Sequence, residues 1–252
     1  MVKARIKFVL IYLCFFTTNA FAIVNIEKVN IEKDPAPFQG QIDFKLSGAS
    51  GNSVNQSSSL GSRFQWNDIS TQFIVLKYNY AKSFDVKSKD NSFMHYRYIV
   101  NPKLKITSEY FLQLEENEFT LLKLRTLFGA GLRFSLFDKK DKHQIRFGLG
   151  LFHSKEKIND ISNTVDELNR LNTYLTYQYK IKDSIHFLST SYYQPDIENT
   201  SDYRVLEQLS LEFTISKSFV YYLTMDMSYD SDPVTALDKL DKGYKSGIKY
   251  KF

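Results

Sequence analysis

Apolar and polar residues alternate along most of this chain with a period of two, in segments of roughly ten residues. The C-terminal segment shows the pattern most clearly: Tyr244, Ile248, Tyr250 and Phe252 lie on one face, and three lysines and a glycine lie on the other. Helical spacing does not fit, because residues three and four apart fall on both faces. The pattern therefore predicts amphipathic β-strands, each with one apolar and one polar face.

The alternation predicts an all-β chain of about twelve antiparallel strands. The segments cover residues 38–49, 54–66, 72–82, 92–101, 104–115, 119–136, 143–154, 168–181, 184–194, 203–216, 219–230 and 243–252. Connections after even-numbered strands are short, whereas most connections after odd-numbered strands are longer and more polar, as at residues 83–91 and 155–167. Tight turns at one end and long loops at the other are typical of bacterial outer-membrane barrels. This arrangement places both termini in the periplasm.

The 17 Tyr and 21 Phe residues distinguish a membrane barrel from a soluble sandwich, because alternation alone fits both. Many of them lie on the apolar face near strand ends, where they would build aromatic girdles at two membrane interfaces. In lipid every backbone polar group must be paired, so alternating strands have to close into a barrel. We therefore expect a transmembrane β-barrel in contact with the lipid of the cell outer membrane; a secreted soluble β-domain is the alternative.

The N-terminus has the features of a secretory signal. Lys3, Arg5 and Lys7 precede a short apolar core, and Ala20-Phe21-Ala22 is typical of a cleavage site. We interpret residues 1–22 as a signal peptide, 23–37 as a periplasmic N-terminal segment and 38–252 as the barrel. A lipoprotein signal at Cys14 is the alternative, but large residues precede this cysteine where lipidation signals have small ones.

Composition excludes several classes of protein. With 43% hydrophobic residues, 10 Gly and 5 Pro, the chain is neither disordered nor collagen-like. Removal of the three basic signal residues lowers the net charge from +5 to +2, so basicity is no argument for nucleic-acid binding. The single cysteine leaves with the signal, and the mature chain then has no disulfide or thiolate chemistry.

Several short motifs resemble the salt-induced outer membrane protein family, a group of uncharacterised bacterial barrels. They are Pro37-Phe38-Gln39-Gly40, residues 47–53 and 57–60, Gly129-Ala130-Gly131 with Gly148-Leu149-Gly150, and residues 229–233. The resemblance covers nearly the whole mature chain. It implies an outer-membrane barrel and a link to osmotic or salt stress, with no catalytic residues or cofactor.

Candidate chemistry on the apolar face is limited to one histidine. His153-Ser154 lies near the external end of the seventh strand, where outer-membrane phospholipases carry a His near a Ser. Adjacent residues on a strand point to opposite faces, so these two side chains cannot reach each other. We therefore expect no enzyme activity, and no carboxylate lies at ligand spacing from the inward histidines to suggest a metal site.

Inward positions carry more cations than anions when the alternation is followed strand by strand. The residues predicted to line the lumen are Arg63, Arg97, Lys123, Arg125, Arg133 and Arg146. Unpaired cations in a lumen favour the passage of anions. This predicts a narrow passive channel for small solutes or ions with anion preference. The alternative is a non-conducting structural or salt/osmotic-stress envelope protein, in which these charges form structural ion pairs.

The C-terminus carries an expected assembly signal. Tyr250 and Phe252 lie on the apolar face of the last strand, as in terminal strands by which outer-membrane proteins are recognised during insertion. We therefore expect the outer-membrane assembly machinery to be a partner of this chain.

Overall fold

The computed structural model describes residues 36–49, 55–139, 142–233 and 238–252. The predicted signal peptide and most of the predicted periplasmic segment therefore lie outside the described residues. Within this part of the chain the structure has twelve β-strands and one short 3₁₀ turn, Glu118–Thr120. The strands are β1 Phe38–Ala49, β2 Asn55–Asn67, β3 Thr71–Ser83, β4 Val86–Ile99, β5 Ile106–Asn117, β6 Leu122–Lys139, β7 His143–Ile158, β8 Val165–Lys182, β9 Ile185–Pro195, β10 Tyr203–Thr214, β11 Phe219–Asp230 and β12 Leu240–Lys251.

The twelve strands form one closed antiparallel barrel, which confirms the predicted fold class. Each strand pairs with the next along the chain, and β12 pairs with β1 to complete the ring. At this seam Asp43 lies opposite Lys249, and Gly40 and Phe252 exchange backbone hydrogen bonds of 2.8 and 3.0 Å. The register at this seam covers four residue pairs, Gln41–Phe44 with Ile248–Lys251, and the closed ring is the arrangement that a lipid environment requires. The structure does not test which side of the membrane holds the termini, so the periplasmic position stays a prediction.

The two faces of each strand differ as the alternation predicts. In β11, Val220, Tyr222 and Thr224 point inward and are buried, whereas Leu223 and Met225 point outward and are exposed. Large apolar side chains cover the outer surface all around the ring. Aromatic rings pair near strand ends, as in Phe219 with Tyr250 at 5.3 Å. This outer surface is that of a lipid-facing barrel with aromatic girdles.

Strand ends differ most from the sequence prediction at residues 83–91. A loop was predicted there, but β3 and β4 meet in a tight turn at Phe84 and Asp85, whose φ angles of 49° and 61° are positive. Strands β7 and β8 likewise extend beyond the predicted ends, to Ile158 and from Val165. These extensions are polar because both faces of a strand are solvated beyond the apolar band, so polarity there does not indicate a loop.

Both chain ends of the described barrel lie at the same end of the ring. The backbone N–H of Asn67 donates to the Pro37 carbonyl at 2.8 Å, and the Asn67 side chain donates to the Ala36 carbonyl at 2.8 Å. We call this the closed end and the opposite one the loop end.

No helix among the described residues is long and apolar enough to cross a membrane.

Candidate functional site: the barrel lumen

A cavity of about 1660 Å³ opens at the loop end and occupies one side of the lumen. It is deepest along β10, β11, β12 and β1, where Glu212, Tyr222, Lys249 and Gln41 line it. On the opposite side of the ring, β5, β6 and β7 line the cavity only at their loop ends, where Glu115, Arg125 and Glu156 lie. The open part of the lumen is therefore eccentric rather than central.

Aromatic side chains fill the lumen beside the part of the cavity that lies toward the closed end. The His95 ring stacks between those of Phe73, Phe93 and Phe111, with ring centroids 6.0–6.3 Å apart. His95 Nδ1 lies 3.1 Å from Gln113 Oε1. A twelve-strand barrel lies between the packed interiors of eight strands and the open channels of sixteen, and here one side is packed.

Two arginines and a tyrosine converge on Glu109 in the packed side. Arg97 and Arg133 donate to Glu109 Oε2 at 3.1 and 3.5 Å, and the Tyr174 hydroxyl donates to the same oxygen at 3.0 Å. Arg133 also donates to the Tyr174 hydroxyl at 2.8 Å. Arg97 and Glu109 are each only 1% exposed, so this cluster is a buried structural unit.

The Tyr174 ring depends on a glycine of the neighbouring strand. A Cβ atom built on Gly148 would lie 1.9 Å from the ring, so any larger residue there would displace Tyr174 from Glu109. Gly150 and Gly131 lie opposite each other on β7 and β6, and a Cβ on Gly150 would lie 2.4 Å from the Ala130 carbonyl oxygen. These contacts explain the Gly-Ala-Gly and Gly-Leu-Gly motifs by close packing rather than chemistry.

A second ion-pair network lies at the loop end of the cavity. Arg125 donates to Glu156 at 2.9 and 3.0 Å and to Glu115 at 3.1 Å. Arg204 donates to Glu156 at 2.9 and 3.3 Å and to Asp230 at 2.9 Å. Each guanidinium thus has two carboxylates, and the network neutralises the charge of Arg125 that the sequence assigned to the lumen.

The deepest part of the cavity is bordered by another charged group. Glu212 accepts from Lys249 at 2.6 Å and from Lys251 at 3.4 Å. The Tyr222 ring lies over Gly247, and Lys249 Nζ is 4.8 Å from the centre of that ring. Next to this group toward the closed end, Val220 is buried. Tyr222 and the Lys249–Glu212 ion pair therefore flank the bottom of the open path.

The remaining predicted lumen residues have different surroundings. Arg63 points inward, donates to Gln65 at 3.0 Å and lies 3.6 Å above the Phe73 ring. Arg146 donates to Gln144 at 3.0 Å. Lys123 was placed wrongly by the alternation: a bulge between Leu122 and Leu124 breaks the period of two, and Lys123 is exposed rather than lining the cavity.

Several lumen residues were missed by the sequence interpretation, three of them in ion pairs. Glu156 and Arg204 line the cavity in the network above, and Arg170 donates to Asp202 at 2.6 Å. Glu156 was assigned to a loop because β7 was predicted to end at residue 154. Arg170 and Arg204 share their strand faces with inward residues such as Tyr174 and Leu206, so continued alternation along β8 and β10 would have found them.

The charge balance of the cavity wall differs from the predicted excess of cations. Among the described residues that line it, fifteen are acidic and ten are basic. The basic residues are Lys45, Arg63, Lys77, Lys89, Arg125, Arg170, Arg204, Lys242, Lys245 and Lys249. The acidic residues are Asp43, Glu115, Glu116, Glu156, Asp166, Asp196, Glu198, Asp202, Glu207, Glu212, Asp226, Asp230, Asp232, Asp238 and Asp241. An anion preference therefore cannot rest on the total charge of the lumen.

The residues considered for catalysis point in opposite directions. His153 lies on the outer face, with Nδ1 3.0 Å from Asn169 Oδ1, whereas Ser154 is fully buried inside the barrel. The geometry thus separates them as the alternation predicts. The described residues contain no group of three His, Cys, Asp or Glu side chains that could hold a metal ion.

The C-terminal residues lie at the barrel seam. The Phe252 ring packs on Gly40 of β1 and lies 5.8 Å from Tyr250 and 6.5 Å from Phe38. These contacts join the last strand to the first. Recognition of Tyr250 and Phe252 by the assembly machinery stays a prediction.

Closed strand pairing, an apolar outer surface and a polar lumen define the class of this protein as an outer-membrane-type β-barrel with a porin-like fold. Residues 42–252 match the family model described as "Protein of unknown function, DUF481", and the chain belongs to that family. The family is one of unknown function, and a salt-induced role stays a prediction from the sequence resemblance.

Two solved porins share this fold. The NanC porin is 11% identical, with a TM-score of 0.54 over 85% of this chain and 100% of the NanC chain. The KdgM porin is 10% identical, with a TM-score of 0.50 over 85% of this chain and 99% of the KdgM chain. No curated protein matches the sequence. At these identities the likeness shows the fold alone.

Proposed function

We propose that the barrel is a narrow passive channel for small hydrophilic solutes. The observation that carries this proposal is the eccentric cavity, which extends along β10, β11, β12 and β1 to Lys249, close to the C-terminal residue Phe252. Polar and charged side chains line this path, so it provides hydrogen-bonding partners for water and small solutes.

The constriction of the proposed path lies at the bottom of the cavity. The Tyr222 ring and the Lys249–Glu212 ion pair border it, and buried Gln65 and Val220 lie toward the closed end. A tyrosine ring and a lysine stem can change rotamer without breaking the strand ladder. Solutes would therefore pass one at a time beside Tyr222, and large solutes would be excluded.

An anion preference stays part of the proposal, but its source differs from the predicted arginines. Arg97 and Arg133 share Glu109, and Arg125 is paired with two carboxylates. Lysines on β1, β3 and β4, which line the cavity without an ion pair among the described residues, are the better candidates.

The second candidate function is that of a non-conducting structural or stress-responsive envelope protein. The packed side of the lumen favours it, because the His95 ring and its aromatic neighbours fill part of the lumen there. In that case the cavity would be a blind pocket open only at the loop end.

Solute flux separates the two functions. Refolded full mature chain would be reconstituted into liposomes, and swelling would be measured in arabinose and in a larger trisaccharide. The channel proposal predicts swelling in arabinose and little in the trisaccharide. A chain from residue 38 onward tests whether the preceding segment blocks the path. Absence of swelling with both folded chains would contradict the channel and leave the structural function.

A further inference from the structure

Three lysines within the four consecutive strands β1 to β4 line one wall of the cavity. Lys45 lies on β1, Lys77 on β3 and Lys89 on β4, and we call them the lysine wall. Within the part of the chain that the structure describes, none of the three forms an ion pair. Lys245 and Lys249, by contrast, pair with Asp226 at 2.8 Å and Glu212 at 2.6 Å. The lysine wall therefore differs from the paired cations elsewhere in the cavity.

The lysine wall contains few compensating anions. Lys77 interacts electrostatically with Lys245 and Lys249, and Lys89 with Lys45 and Lys245. Two carboxylates are close enough to oppose them, but Asp226 already binds Lys245. The other is Asp43, whose Oδ2 would lie 3.3 Å from a Cβ built on Gly61, the residue level with Lys77 on β2. Asp43, which accepts a hydrogen bond from Gln41 at 3.0 Å, forms no ion pair among the described residues and is thus the one carboxylate left to oppose three lysines. Lysines therefore outnumber the available carboxylates on this wall.

A row of polar side chains crosses the same wall. Ser59 donates to Asn79 Oδ1 at 2.6 Å, and Asn79 donates to Asn91 Oδ1 at 2.7 Å. Strand register places Lys45 opposite Ser59, at the start of this row. Lys77 precedes Asn79 on β3, and Lys89 precedes Asn91 on β4, each by one inward position. Hydroxyl and amide groups therefore alternate with ammonium groups on a single surface facing the cavity.

We propose that the lysine wall binds a small organic anion that carries a carboxylate and several hydroxyl groups. The ammonium groups would bind the carboxylate through charge-assisted hydrogen bonds, and its negative charge would offset repulsion among the lysines. The Ser59–Asn79–Asn91 row would bind the hydroxyls. This inference rests on the proposed function for the route by which such a ligand reaches the cavity, and it names the solute class.

The test measures binding of gluconate to refolded protein in detergent by isothermal titration calorimetry. Sorbitol, which has the hydroxyls without the carboxylate, and inorganic phosphate, which has charge without the carbon chain, are the comparison ligands. The variant Lys45→Gln/Lys77→Gln/Lys89→Gln should weaken gluconate binding about tenfold or more, since hydrogen bonds to charged groups are lost. The control Lys103→Gln/Lys182→Gln/Lys217→Gln removes the same charge from exposed positions at the closed end and should leave binding unchanged.

The outcomes separate this inference from the channel proposal, because binding in detergent requires no transport. Equal gluconate affinity of the two triple variants, both shown folded by heat-modifiable migration, would overturn the site. Sorbitol or phosphate binding as tight as gluconate would overturn the solute class. Gluconate binding without liposome swelling would support the binding site and contradict the channel. Swelling without gluconate binding would support the channel and contradict the binding site.

Discussion

The buried cluster around Glu109 yields the sharpest test of the lumen geometry. Glu109→Gln keeps the size of the side chain but removes the charge that Arg97, Arg133 and the Tyr174 hydroxyl share. The amide can still accept one hydrogen bond, yet both guanidinium groups lose their common carboxylate in a site that water does not reach. We therefore expect the variant to fold less stably.

The size of the expected stability loss follows from the burial of both Glu109 and Arg97. Breaking a buried ion pair by removing one partner costs about 3–5 kcal/mol, because the other charge stays buried without compensation. Glu116 provides the matched control, since it is exposed at the end of the same strand and accepts one hydrogen bond from Ser92 at 3.3 Å. Glu116→Gln should change the free energy of unfolding by less than about 0.5 kcal/mol.

Urea unfolding in lipid vesicles, followed by the fluorescence of the single tryptophan Trp66, measures the difference. We expect a clearly lower urea midpoint for Glu109→Gln than for Glu116→Gln. In a double-mutant cycle, Arg97→Gln combined with Glu109→Gln should cost less than the sum of the single changes, because the two residues interact directly. Equal midpoints for the two single variants, or additive costs in the cycle, would refute the reasoning.

Three further predictions follow from the two faces of the barrel and its seam. Leu149→Arg on the lipid side should cost roughly 2–4 kcal/mol, whereas Ser228→Arg in the cavity should be tolerated; equal urea midpoints would show that the faces are assigned wrongly. Arg125→Glu should lower stability, because it removes the partner of Glu115 and Glu156 and places a third carboxylate beside them; a urea midpoint equal to that of wild type would contradict this. Deletion of Phe252 should reduce outer-membrane levels in fractionated cells, and normal levels would contradict its role at the seam and in assembly.

The sequence predicted the strand count and the two faces because alternation is a local signal that each strand carries by itself. It failed where the period changes: the bulge after Leu122 moved Lys123 out of the lumen, and the turn at Phe84 and Asp85 replaced a predicted loop. Polar residues beyond the apolar band, such as Glu156 and Lys89, were assigned to loops although they lie on strands that face the cavity.

Ion-pair partners could not be predicted from the alternation of inward and outward positions along each strand. Arg97 and Arg133 were both predicted to line the lumen, but their shared contact with Glu109 depends on strand register and on the curvature of the closed ring. The apparent excess of lumen cations arose because Glu156, Asp202 and their neighbours were not counted as inward. Long-range geometry, rather than residue type, thus decides which lumen charges are free to meet a solute.

The channel itself is tested most directly by conductance at Tyr222. Wild-type protein in planar bilayers should show small discrete current steps, and Tyr222→Ala should enlarge them because it removes the ring beside the deepest part of the cavity. Tyr221→Ala is the control, since Tyr221 is the adjacent residue on the outer face of the same strand, and its current steps should equal those of wild type. If folded wild type and folded Tyr222→Ala both failed to conduct, this would contradict a path for solutes along this wall of the barrel. Equal current steps in all three proteins would contradict it as well.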